Sequence, residues 1–130
     1  MYQTITEHIR VSVRPEFVEA QSQPEHSKYM WAYTITVENT GLETVTLLTR
    51  HWVITDGLGR RQDVRGDGVV GEQPTLKPGQ SFEYTSGCPL STPSGMMVGS
   101  YGMVTANGRP LDVAIPAFSL DSSYDRHSVN

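Results

Sequence analysis

The sequence predicts an all-β domain, an immunoglobulin-like sandwich of about seven strands. Three observations carry this prediction. Apolar residues recur with a period of two, as in Ile9, Val11 and Val13 and again in Trp31, Tyr33, Ile35 and Val37, the spacing of half-buried strands. Turn signals built on Gly, Pro and Asn separate these runs. No amphipathic helical pattern interrupts them. A small barrel is the alternative that the same spacing allows.

The first strand covers Glu7 to Val13, where Ile9, Val11 and Val13 alternate with His8, Arg10 and Ser12; Pro15 either stops it or puts it at a sheet edge. The polar stretch QSQPEHSK, residues 21–28, reads as an exposed loop. Tyr29 to Val37 is the clearest strand, and Asn39-Thr40-Gly41 supplies its turn. A long strand follows from Thr44 to Thr55, carrying Leu47, Leu48, Trp52, Val53 and Ile54. Asp56-Gly57 then turns the chain into Arg60 to Val64. The segment GDGVVG, residues 66–71, reads as a glycine-rich loop. The Pro78-Gly79 turn leads into Ser81 to Ser86, with Phe82 and Tyr84 on one face. PLSTPSG is a further turn, and Met96–Thr105 with Arg109–Phe118 form a last hairpin across Ala106-Asn107-Gly108. One domain over residues 1–120 is expected, followed by a polar, frayed tail over 121–130.

Composition limits the partners. The chain has 130 residues, enough for one core without disulfide or metal staples, and its 12 Gly and 8 Pro suit short strands. With a net charge of −4 and Lys28 and Lys77 as its lysines, it has no broad surface for tracking phosphates, so nucleic acid is not an expected partner. Cys88, as the one cysteine, makes no intrachain disulfide. The residues MYQTI lack the basic and apolar regions of a signal peptide, and no run approaches the ~20 apolar residues of a membrane helix. A cytoplasmic protein without a membrane partner is the expectation.

Candidate chemistry centres on two segments. GDGVVG matches the GxGxxG phosphate fingerprint at Gly66, Gly68 and Gly71. That fingerprint works by leading a strand into a helix whose N-terminus holds the phosphate. Here Glu72-Gln73-Pro74 follows instead, and Asp67 sets a negative charge inside the loop. The loop therefore has two readings: an anion cradle of exposed N–H groups, or glycines supplying special backbone angles. The second segment is Arg50-His51-Trp52, where alternation puts Arg50 and Trp52 on one face and His51 on the other. Trp52 reads as core, His51 as a hydrogen-bonded residue and Arg50 as a cover over the sheet. In the alternative, Arg50 or His51, with Arg65, meets an anion beside the glycine loop.

Catalytic and metal chemistry are not expected. His8, His26, His51 and His127 show no HxH or HxxxH spacing, and Asp56, Asp63, Asp67 and Glu72 lack the ligand order of a calcium loop. Cys88 has no basic neighbour to activate it. No cofactor, metal ligand or catalytic residue is assigned. Met96, Met97 and Met103 fit either a core or an adaptable partner surface, with at least two of them expected in the core.

Several blocks together resemble the ApaG family, also called CorD. They are LLTRHWVITDG (residues 47–57), GDGVVGEQP (66–74), LKPG (76–79), FEYTSG (82–87), TPSGMM (92–97) and IPAFSL (115–120). Their order and spacing span roughly Ile9 to Leu120. The resemblance implies a fibronectin type III-like sandwich and no assigned enzymatic activity. It also implies a link to cobalt resistance and magnesium efflux, and a role in binding other proteins. The expected function is thus a non-enzymatic binding module for another protein. The alternative is a small-anion or nucleotide-binding protein using Gly66, Gly68 and Gly71 with Arg50, His51 or Arg65.

Overall fold

Alternation of apolar and polar residues becomes two antiparallel sheets packed face to face. The computed structural model describes residues 2–124. Among them run nine strands: β1 (Tyr2–Thr6), β2 (Ile9–Phe17), β3 (Tyr29–Asn39), β4 (Val45–Asp56), β5 (Arg61–Asp67), β6 (Thr75–Leu76), β7 (Ser81–Leu90), β8 (Gly95–Thr105) and β9 (Pro110–Leu120). The first sheet has the order β1-β2-β3-β7. The second has the order β5-β4-β8-β9, with β6 also paired to β4. The fold is therefore the expected immunoglobulin-like, fibronectin type III-like sandwich. Among the described residues no helix is long and apolar enough to cross a membrane.

Two strands exceed the expected seven. β1 holds five residues, YQTIT, with few apolar side chains to announce it, and β6 is a two-residue pairing wedged between Pro74 and Pro78. Pro15 does not stop β2. Pairing with β1 ends at Val13, so the proline, which has no N–H to donate, sits where β2 has a neighbour on the β3 side alone. The polar stretch 21–28 takes up part of two short 3-10 turns, Glu19–Gln21 and Pro24–His26.

The inward faces are those that alternation marks. Trp31, Ile35 and Val37 of β3 pack with Ile9, Val11 and Val13 of β2 beneath Leu47 and Trp52 of β4 and Tyr101 and Met103 of β8. Met97 and Met103 lie in this core, while Met96 is exposed. Tyr33, Trp52 and Phe118 form an aromatic triangle with ring centroids 5.4 to 6.0 Å apart, near the edge-to-face geometry that ring quadrupoles favour. Gly99 stands opposite Trp52, and a Cβ there would press into the His51 carbonyl oxygen and the indole. The glycine is what lets β8 pass close under the tryptophan.

The two sides of the sandwich differ. On one side β1 is tied to β9: Thr4 Oγ1 donates to the Ala114 carbonyl at 3.0 Å, and the Ala114 N–H donates to Thr6 Oγ1 at 3.2 Å. On the other side the edge strands are β7 of the first sheet and β5 of the second. The boundary expected at residue 120 also falls short of the last docked residues. Trp31 Nε1 donates to the Asp121 carbonyl at 2.8 Å, and Tyr124 packs edge-on against Phe17 and donates its hydroxyl to Glu19. The rest of the expected tail, 125–130, lies outside the described residues.

Candidate functional site

The motif residues gather where β4 changes partners. Along one edge β4 pairs first with β6, at Val45 and Thr46, and then with β5, from Thr49 to Thr55. The chain between β5 and β6 must bridge that gap, and it is the glycine-rich segment. On its β8 side β4 shifts register between Leu47 and Thr49. This bulge inserts one residue, so that Leu47 and Arg50, three apart in sequence, both face the interior.

Gly66 and Asp67 are the end of β5 rather than loop: Gly66 pairs with Arg50 and Asp67 with Thr49. The turn itself is Val69-Val70-Gly71-Glu72. Val70 has φ 42° and Gly71 φ 83°, the double positive φ of a type I′ turn. The N–H groups of Val69 and Glu72 donate to each other's carbonyls at 2.8 and 2.9 Å, and the Gly68 N–H donates to the Leu48 carbonyl at 2.8 Å. Val69 is fully buried beneath the turn, which pins it to the core. Gly68 has φ 63°, and a Cβ there would collide with the Glu72 carbonyl.

Arg50 is built into this loop. Its Nη1 donates to the Asp67 and Gly68 carbonyls at 2.9 and 3.0 Å, and its guanidinium lies over Gly66. Arg50, Gly66 and Gly68 are thus brought together. Gly71 stands at the turn tip, with open space where a side chain would go. His51 points to the other face of the sheet. There its Nε2 lies 2.9 Å from Asp63 Oδ2, while Arg65, opposite His51 in register, reaches within 4.0 Å of the same carboxylate. Hydrogen bonds from Arg61 first, and then from His51, hold the Asp63 carboxyl far below the usual carboxylate range.

Asp56, at the turn between β4 and β5, is also held by an arginine. Partial burial pulls the Asp56 carboxyl upward, but the backbone N–H and guanidinium of Arg60, with the Leu58 N–H, outweigh it and keep the group below its ordinary value. Among the described residues no three His, Cys, Asp or Glu side chains gather as metal ligands would. Burial pushes the Cys88 thiol up to about 11, the reverse of what a nucleophilic cysteine needs.

Two features escape a reading of motifs. One is a cleft of about 270 Å³ between the edges of β5 and β7, walled by Tyr33, Trp52, Ile54, Val64 and Met97 and reached by Arg50. The other is a hydroxyl pair across the sandwich, Tyr84 of β7 with Tyr101 of β8, at 2.5 Å. Burial raises both phenols. The sequence signal for the cleft is that Arg50 shares its face with Trp52, which places a cation on an inward-facing surface.

Comparison with known proteins adds relatives to this geometry. A family model described as DUF525, ApaG domain, matches residues 19–105. Protein ApaG of Rhodospirillum centenum is 63% identical over 130 residues, the full length of both chains, and Protein ApaG of Afipia carboxidovorans is 56% identical over the same span. The crystal structure of the putative ApaA protein from Bordetella pertussis superposes with a TM-score of 0.87 at 50% identity, covering 90% of this chain and 95% of that one. The C-terminal domain of wzt, at 12% identity and a TM-score of 0.55 over 96% of this chain and 79% of that one, shares the fold alone.

Proposed function

The chain belongs to the ApaG family, and from that premise we propose that it is a non-enzymatic binding module that docks another protein on the outer face of its second sheet. The observation that carries this reading is the make-up of that face. Val53 stands opposite Val98 in register, and Met96, two residues before Val98, points the same way. Met96 is 52% and Val98 41% exposed. Beside them on β5 lies a charged row of Arg61, Asp63 and Arg65. An apolar centre with a charged rim is the composition of a protein interface, and an exposed methionine adapts to the shape of a partner.

A photo-crosslinking residue at Val98, with a second at exposed Leu42 as control, tests this in the source cells. One defined adduct at position 98, lost on Met96→Lys, is the expected result. Identical adducts at both positions would sink the reading. On the docking reading, the cobalt resistance and magnesium efflux that the resemblance implies act through the partner. In support, Asp56 and Asp63 are already held by arginines.

Binding of a small anion or nucleotide by the GDGVVG loop is the reading this geometry supports less. The N–H groups of Gly68, Val69 and Glu72 that would cradle the anion are taken up within the segment and its flanking strand. Saturable amide shifts confined to residues 66–71 on titration with pyrophosphate or ATP would reinstate it.

A further inference from the structure

We propose that the cleft between the edges of β5 and β7 binds a small organic monoanion: a carboxylate carried on a flat, apolar body. The sandwich is laced shut where β1 meets β9 and parted where β5 faces β7. At the parted side the inward faces of both sheets are reachable from solvent. At about 270 Å³ the space lies just below the usual range for ligand sites, which limits the occupant to roughly one ring and its substituent.

The lining sets the chemistry. Tyr33 and Trp52 offer aromatic surface, and Ile54, Val64 and Met97 offer aliphatic surface, so the body of the ligand is apolar. Arg50 is the cation, and no Asp or Glu lines the cleft. Arg10, Arg60, Arg61 and Arg109 each meet a carboxylate within 3.1 Å. Arg50, half-buried, has none within 4.0 Å among the described residues and uses Nη1 to hold two backbone carbonyls. That bond fixes the guanidinium in place without neutralising it. A half-buried, preorganised and unneutralised guanidinium favours a carboxylate, which its planar fork matches. One positive charge does not balance a phosphate dianion or a polyphosphate, so a monoanion is preferred. Gln62 and Ser86 at the rim supply further hydrogen-bonding groups.

This cleft lies on the inward side of the second sheet and the Val53–Met96–Val98 patch on its outward side, so failure of either proposal leaves the other standing. Phenylacetate is the probe, with 2-phenylethanol as its neutral counterpart and inorganic phosphate as the anion without an apolar body. Amide shifts should saturate with phenylacetate and concentrate at Arg50, Val64, Ser86 and Gly87. Both controls should bind at least about tenfold more weakly. Val64→Trp fills the cleft without touching the Arg50 hydrogen bonds and should abolish binding. Arg50→Lys keeps the charge but loses the fork, and should weaken binding roughly tenfold. A peptide ending in Phe presents the same chemistry; tighter binding than phenylacetate would identify a chain terminus as the source, and weaker binding a free acid. No saturation by about 20 mM of either acid, equal binding of 2-phenylethanol, or unchanged binding by Val64→Trp would overturn the proposal.

Discussion

The guanidinium of Arg50 occupies the space that a side chain at Gly66 would need: its Cζ, Nη1 and Nη2 each lie 2.8 Å from the point where a Cβ would stand. The glycine of the phosphate-like fingerprint is thus a seat for an arginine of the neighbouring strand. Because the guanidinium ends a flexible side chain, Gly66→Ala should displace it rather than break the sheet. The loss of its bonds to Asp67 and Gly68 should cost about 1 kcal/mol. Gly68→Ala should cost more, about 2–4 kcal/mol, since a Cβ there meets the Glu72 backbone at φ 63°. Gly71→Ala, at φ 83° with open space around it, should cost about 1–2 kcal/mol. Urea unfolding of the three variants checks the order, and a mild Gly68→Ala would refute the turn geometry.

The Tyr84–Tyr101 hydroxyl pair joins the two sheets, and Tyr101 is fully buried. Tyr84→Phe strands the Tyr101 hydroxyl and should destabilise by about 1–3 kcal/mol. The double Phe variant should lose less than the sum of the single ones, because both polar groups are then gone. Additive losses in a double-mutant cycle would mean that the two hydroxyls do not interact.

Burial pushes the Cys88 thiol up to about 11. A folded pKa above the unfolded one contributes stability that is fully present below the unfolded thiol value, about 8.5, and is lost as pH rises toward the folded value. The melting temperature should fall across that window, and Cys88→Ala should recover part of the loss. The rest belongs to Tyr33, Tyr84 and Tyr101, whose phenols burial also raises. At pH 8 a thiol-specific disulfide reagent should modify the native chain far more slowly than the urea-unfolded one. Equal rates would place Cys88 at the surface.

Asp63 runs the other way. Its carboxyl is held low by hydrogen bonds from Arg61 and then His51. A depressed folded pKa contributes stability that is present above the unfolded value, about 3.9, and is lost as pH falls below it. Asp63→Asn should therefore lower the melting temperature more at pH 6 than at pH 2, where the contribution is already fading toward the folded value. A uniform drop at both values would show that the carboxylate charge is not what matters.

Much of this was legible from local pattern. The strands through Ile9, Trp31, Trp52, Met103 and Val113 follow from alternation, because a half-buried strand must put its apolar side chains on one face. The split between inward Arg50 and Trp52 and outward His51 follows from the same rule. β1 and β6 were not legible. Their residues, YQTIT and TL, carry too little apolar signal, and both exist because β2 and β4 offer unpaired edges to complete. Gly66 looked like a loop residue because glycine marks turns, and only its pairing with Arg50 makes it part of a strand.

By itself the sequence determined the fold class, the family and the composition of the core, because each depends on side-chain order along one strand at a time. Only the tertiary structure decided what the motif residues do. Whether a glycine loop offers its N–H groups or spends them, and whether an arginine finds a carboxylate or faces an open cleft, depends on which strands lie beside it. Strand neighbours are set by contacts between residues far apart in the chain: Leu48 with Gly68, Arg50 with Gly66, and β5 parted from β7.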